Sequence, residues 1–209
     1  LRSILWIAWA AQPRPNRGTG TRCIRPPRLR HVSGGRMTTA EFNLENVTQE
    51  IENWILNYLD RPSDHYNGNK PCPFAAKAWF DNKCHVIIGD GNMIDKILHT
   101  WDDQFDIVIV AVPELQSGGL EEFCEQVNSD LIEFNSDLVL MPFVAGEDDP
   151  DDPDLDPDHW GKLLDEAYSM VFIQRLSEVN RLSKVLEKKG YYDKVSPEFW
   201  AYVKARRRS

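Results

Sequence analysis

Apolar residues recur along the chain with two spacings, and the change from one to the other marks out its elements. Leu44, Val47, Ile51, Trp54, Ile55 and Tyr58 fall three and four residues apart, on one side of a helix. Asn43 or Asn46 suits its start, and Arg61-Pro62 stops it. Residues 60–72 are rich in turn formers, and Phe74 to Phe80 reads as a short helix with Pro73 at its first position. Three runs of strand length follow: Cys84 to Gly89, Phe105 to Val112 and Asp137 to Val144. The second is almost continuously apolar and β-branched, as a strand buried on both faces should be. Pro142 makes the third an edge strand or a bent one. Helical spacing separates the runs, first at Met93, Ile94, Ile97, Leu98 and Trp101, then at Leu120, Phe123, Cys124, Val127, Leu131 and Phe134.

Beyond the third run, Trp160, Leu163, Leu164, Ala167, Tyr168, Val171 and Phe172 keep the helical spacing, and Leu176 to Leu186 extend it to Gly190. The spacing favours helix from about residue 159 to 189. A fourth strand at Tyr168 to Gln174 is the rival, because Met170 to Ile173 is also a strand-like run. A last helix starts at Ser196-Pro197-Glu198, carries Phe199, Trp200 and Val203, and runs into Arg206 to Arg208. Strands alternating with helices predict an α/β fold. We expect a small, mainly parallel sheet of three to four strands flanked by helices, with a helical C-terminal third.

A chain of 209 residues has the length of one domain. Residues 1–36 set themselves apart, with eight Arg, no Lys, no acid, much Pro and Gly, and no lasting periodicity. They read as a disordered or non-native basic tail. The sources that fit are a stretch upstream of a start at Met37, an Arg-rich transit peptide, a short signal peptide with Ala8-Trp9-Ala10 as its cleavage pattern, or a functional basic arm. Residues 37–209 then form the single α/β domain. It holds sixteen basic residues against all 33 acids. A body this acidic repels nucleic acid and anionic membrane surfaces. No apolar run approaches the roughly 18 residues of a membrane helix. Cys72, Cys84 and Cys124 are few and widely spaced, unlike a disulfide framework, so a cytoplasmic location is expected.

Ligands of parallel sheets bind beyond the carboxyl ends of the strands. Each strand end here delivers a carboxylate: Asp90 in Gly89-Asp90-Gly91-Asn92, Glu114 after the second run, and Asp148 after the third. Converging carboxylates suit Mg²⁺ or Ca²⁺, which take oxygen ligands. Gly91-Asn92 and Gly118-Gly119 would set free N–H groups where a phosphate could rest, although neither G-x-G-x-x-G nor a P-loop is present. Local capping explains the same Asp, Asn and Gly equally well. The loop 146–158 packs eight acids into Glu147 to Asp158. Pro157 and Leu163 stand where a calcium loop needs Gly and Glu, so the loop reads as an extended, self-repelling segment.

The other candidate is Cys72, read as a catalytic thiol. In Pro71-Cys72-Pro73-Phe74-Ala75 it would cap a helix, where the dipole favours thiolate and lowers the pKa. Lys70 and Lys77 would add positive potential, and His65 is the only nearby base. A small buried Cys under a loop is the competing reading. The segment Trp54 to Ala78 resembles a bacterial domain family of no established activity, in which an amphipathic N-terminal helix runs into a Cys-Pro-Phe-Ala box. The resemblance rests on Cys72, Pro73, Phe74 and Ala75. The long polar loop Asp60 to Lys70 departs from the pattern.

The expected function is that of a soluble ligand-binding or interaction module whose partner is a small molecule or a protein, with no nucleic acid and no membrane. A homo-oligomer is one expected assembly. The alternative is an enzyme that uses Mg²⁺ or Ca²⁺ held by Asp90, Glu114 and Asp148, or the Cys72 thiolate. Whether Cys72 and the three acids share one pocket separates the two.

Overall fold

A computed structural model describes residues 43–112, 119–143, 169–195 and 197–206. The basic tail, Glu114, Asp148 and the acidic loop 146–158 lie outside the described residues. Helix α1 (Leu44–Trp54) starts where Asn43 caps it, its side chain accepting the Asn46 N–H at 2.9 Å. It widens into a π-helical turn (Ile55–Leu59), closed by the Asp60 N–H on the Ile55 carbonyl. Then come α2 (Ala75–Phe80), β1 (Cys84–Ile88), α3 (Gly91–His99), β2 (Ile107–Val112), α4 (Gly119–Glu133), β3 (Leu138–Phe143), β4 (Ser169–Arg175), α5 (Leu176–Glu187) and α6 (Pro197–Arg206).

The fold is α/β, a four-stranded mixed sheet in the order β1-β2-β4-β3 with helices on both faces. β1 and β2 pair in parallel, and β4 pairs antiparallel with both β2 and β3. Three strands therefore run one way, and β4 runs against them from the slot between β2 and β3. The sequence placed a helix where β4 stands, and the structure corrects this. Ser169 to Phe172 and Ile173 are buried in the middle of the sheet, with Phe172 opposite Ile109 on one side and Met141 on the other. Helical spacing is a local pattern. Pairing with two strands far away in the chain offered this β-branched, aromatic run burial on both faces, and that outweighed it. The helix of this region begins at Leu176.

β2 is buried along its whole length, as its unbroken apolar run requires. Residues alternate between two cores. On one face Val86, Ile107, Ile109, Ala111, Met170 and Phe172 meet α1, the π-helical turn and α2. On the other, Val108, Val110, Leu140, Val171 and Ile173 meet Ile94 of α3 and Leu120, Phe123 and Cys124 of α4. Trp54 is the largest side chain of the first core, set edge-on against Phe143 at 5.4 Å and Phe172 at 5.8 Å. β3 is an edge strand, where Pro142 costs no ladder bond.

The loop before α2 is tied to the far end of the chain. Tyr66 stacks on Tyr191 at 4.7 Å, and the Tyr191 hydroxyl donates to the Pro71 carbonyl at 2.5 Å. Asn69 donates to the Lys189 carbonyl and Lys194 to that of Asp64. Gly190 makes the turn possible with φ +73°. A Cβ there would lie 2.6 Å from Asp193 Oδ2 and 2.8 Å from Asn67 Nδ2.

Candidate functional site

The Cys72 backbone is fixed from both sides. Its N–H donates to the Leu59 carbonyl at 3.1 Å, and its carbonyl accepts from the Ala75 N–H at 3.2 Å. The helix begins later than the sequence suggested, at Ala75 with Phe74 as its cap, so Cys72 lies two residues before the cap. The N–H groups of Phe74 and Ala75 still reach the sulfur and favour thiolate. They are outweighed. Cys72 is part-exposed as a residue, but protein crowds the thiol, and desolvation pushes its pKa up. This reverses the lowering expected from the helix dipole. The lysines do not help, because Lys70 pairs with Asp60 at 2.6 Å and Lys77 pairs with Asp81. The side chain of His65 lies outside the described residues.

The neighbours of Cys72 are the side chains that sequence reading missed. Cys84, at the start of β1, is close enough that the Cys72 charge adds to the burial that pushes its thiol up to about 12. The Tyr191 phenol is raised well above its ordinary range, by burial first and then by Tyr66 and Cys72. The cluster thus joins the box, the first strand and the C-terminal turn, and burial moves its two thiols and the Tyr191 phenol in the same upward direction. The sequence showed Gly190-Tyr191 only as a helix stop. Cys124 is buried under α4, as its place on an apolar helix face implied, and desolvation raises it too.

Asp90 stands at the carboxyl end of β1. Its Oδ1 accepts the Met93 N–H at 3.0 Å and its Oδ2 accepts from Asn92 Nδ2 at 3.0 Å, so it is the N-cap of α3. Those bonds hold its carboxyl below the usual carboxylate range. Gly89 lets the first turn of α3 come down on the strand, since a Cβ there would lie 2.7 Å from Met93 Cβ. Glu114 and Asp148 lie outside the described residues. Among the described residues, no three His, Cys, Asp or Glu side chains gather as a metal site needs. Cys72 and Asp90 do not form one constellation: Cys72 packs against the Trp54 core, while Asp90 is an exposed helix cap.

The crossovers bear on what the strand ends can hold. From β1 through β2 to β3 the chain advances across the sheet in one direction, with α3 and α4 on the same face. A crevice of the doubly wound kind opens where successive crossovers part to opposite faces, and these two do not part.

No helix among the described residues is long and apolar enough to cross a membrane. No family model matches the chain, and neither a curated protein nor a solved structure matches it, so the likeness of Cys72 to Ala75 to the bacterial box stands on those residues alone.

Proposed function

We propose that this chain is a non-catalytic α/β module that acts by binding a small molecule or a protein. The observation that carries the reading is the state of Cys72. A nucleophilic thiol must ionise near neutrality, and burial moves this one the other way. Asp90 likewise has a structural task, its two oxygens bonded within the first turn of α3.

Alkylation of the native protein at pH 7, with the adducts mapped, tests this. Cys72, Cys84 and Cys124 should label far more slowly than in the unfolded chain. Rapid, selective labelling of Cys72 would return the thiol to candidacy.

One observation favours the metal reading: Asp90 is exposed and ionised at a strand's carboxyl end, as a ligand for Mg²⁺ or Ca²⁺ would be. Asp90→Asn keeps a capping side chain but removes the charge. Stabilisation by millimolar Mg²⁺ or Ca²⁺ that disappears in Asp90→Asn would support a metal site. An unchanged melting curve in the parent protein would end that reading.

A further inference from the structure

The two edges of the sheet differ in what they leave open. The pairing registers fix which backbone groups face outward. On β3 these belong to Leu138, Leu140 and Pro142. Leu140 is fully used by Asn128 of α4: its N–H donates to Asn128 Oδ1 at 2.8 Å, and its carbonyl accepts from Asn128 Nδ2 at 2.9 Å. Pro142 has no N–H to offer. Asn128 is buried, and its amide stands where a neighbouring strand's peptide would be. The middle of this edge is therefore closed to a further strand, which could reach only the Leu138 groups and the Pro142 carbonyl.

On β1 the Lys83 carbonyl accepts from the Ile107 N–H, and the Gly89 N–H donates to the Ala111 carbonyl. Lys83, His85, Ile87 and Gly89 therefore face β2, while Cys84, Val86 and Ile88 turn their N–H and C=O groups outward. Among the described residues nothing bonds to these outward groups. Val86 is the only buried residue of the strand, and the strand holds no Pro or Lys of the kind that guards edges.

We propose that β1 is the docking edge for a second copy of this chain, the two β1 strands pairing antiparallel about a two-fold axis at Val86. The register about that axis sets Val86 opposite Val86 and Cys84 opposite Ile88, and each outward N–H meets a carbonyl. The charges agree with it. Cys84 to Ile88 includes no acid, Lys or Arg, while Lys83 precedes it and Asp90 follows it. Antiparallel pairing brings the basic end of each strand to the acidic end of the other, at both ends of the ladder. A basic peptide would find no carboxylate on β1 to read it. The two-fold pairing makes the contact isologous, and with β3 blocked at Leu140 and Pro142 the assembly stops at two copies instead of growing into a filament. The inference goes beyond the binding role proposed above, since the pair can form whatever else the domain binds.

Sedimentation velocity of the full chain, from about 1 to 100 µM, should show a monomer–dimer equilibrium. Val86→Pro removes an N–H that serves only the outer edge, so the β1–β2 ladder stays intact. It should weaken the dimer by roughly ten- to a hundredfold. Hydrogen exchange of the parent protein gives a readout that needs no variant: protection of the Val86 amide should rise with concentration, while that of Val110 stays constant. A chain that is monomeric throughout, a Val86→Pro protein that dimerises as tightly as the parent, or Val86 protection independent of concentration would each overturn the proposal.

Discussion

On one face of the sheet, α3 and α4 press Ile94, Leu120, Phe123 and Cys124 onto aliphatic strand residues. On the other, Trp54, Phe143 and Phe172 form an aromatic centre, bordered by Cys72, Cys84 and Trp79. The helices of the first face are the crossovers themselves, so each packs on strands next to it in the chain. The second face draws α1 and α2 from the N-terminal side, and the loop beside it is held by a turn more than a hundred residues away, through Tyr191 to Pro71 and Lys194 to Asp64. The aliphatic face needs only amphipathic helices of the right length. The aromatic face needs distant segments to arrive together, and its polar bonds fix how they meet.

Emptying each core in turn separates the two faces most clearly. Trp54→Ala removes the side chain that touches both Phe143 and Phe172, and should cost about 3–5 kcal/mol. Ile94→Ala on the opposite face should cost about 2–4 kcal/mol. Urea unfolding of both variants checks the order. Equal losses would mean that the aromatic centre contributes less for the area it buries than the aliphatic face does.

Alkaline pH should act next most strongly, and chiefly on the aromatic face. The Cys84 thiol titrates at about 12 when folded, against 9.0 ordinarily. Its folded pKa is raised, so the folded state holds the proton longer. The associated stability is complete below pH 9 and is lost as the pH rises towards 12, at no more than about 1.4 kcal/mol per pH unit for each thiol. Cys72 and Tyr191 shift in the same direction. Melting temperatures between pH 8 and 11 should fall, and Cys84→Ser should flatten the decline. A decline unaffected by Cys84→Ser would place its origin elsewhere.

Asn128→Ala tests the aliphatic face where it meets the sheet edge. It strands the N–H and carbonyl of Leu140, at a cost of about 1–3 kcal/mol. Exchange of the Leu140 amide should quicken in the variant. An amide that exchanges freely already in the parent would show that Asn128 closes nothing.

The smallest effect should come from Gly190→Ala, at about 1–2 kcal/mol for the left-handed backbone, with crowding against Asp193 and Asn67 added. The loss should appear as faster proteolysis of the loop at residues 60–72 as well as a lower melting temperature. Loss of stability with the loop still protected would show that the turn does not hold it.

The residues alone showed the α/β class, the buried place of Ile107 to Val112, and the apolar faces of α3 and of α4 up to Leu131; they left the strand with Pro142 either at an edge or bent, and set Phe134 on a face where the structure leaves it exposed. What they showed follows from composition or periodicity within one element, because those features alone decide whether a segment can be buried on one side or on two. Asn128 was legible in part, as a polar residue on the buried stripe of α4 between Cys124 and Leu131, yet its partner was not. Packing between segments distant in the chain set the rest. Ser169 to Arg175 is a strand because β2 and β3 leave a slot that its β-branched and aromatic residues fill. The Cys72 thiol is pushed up and not down because the folded chain crowds it, and desolvation then exceeds the pull of two backbone N–H groups. A dipole can be read from the residues beside a cysteine, but desolvation depends on distant parts of the chain that only folding brings close.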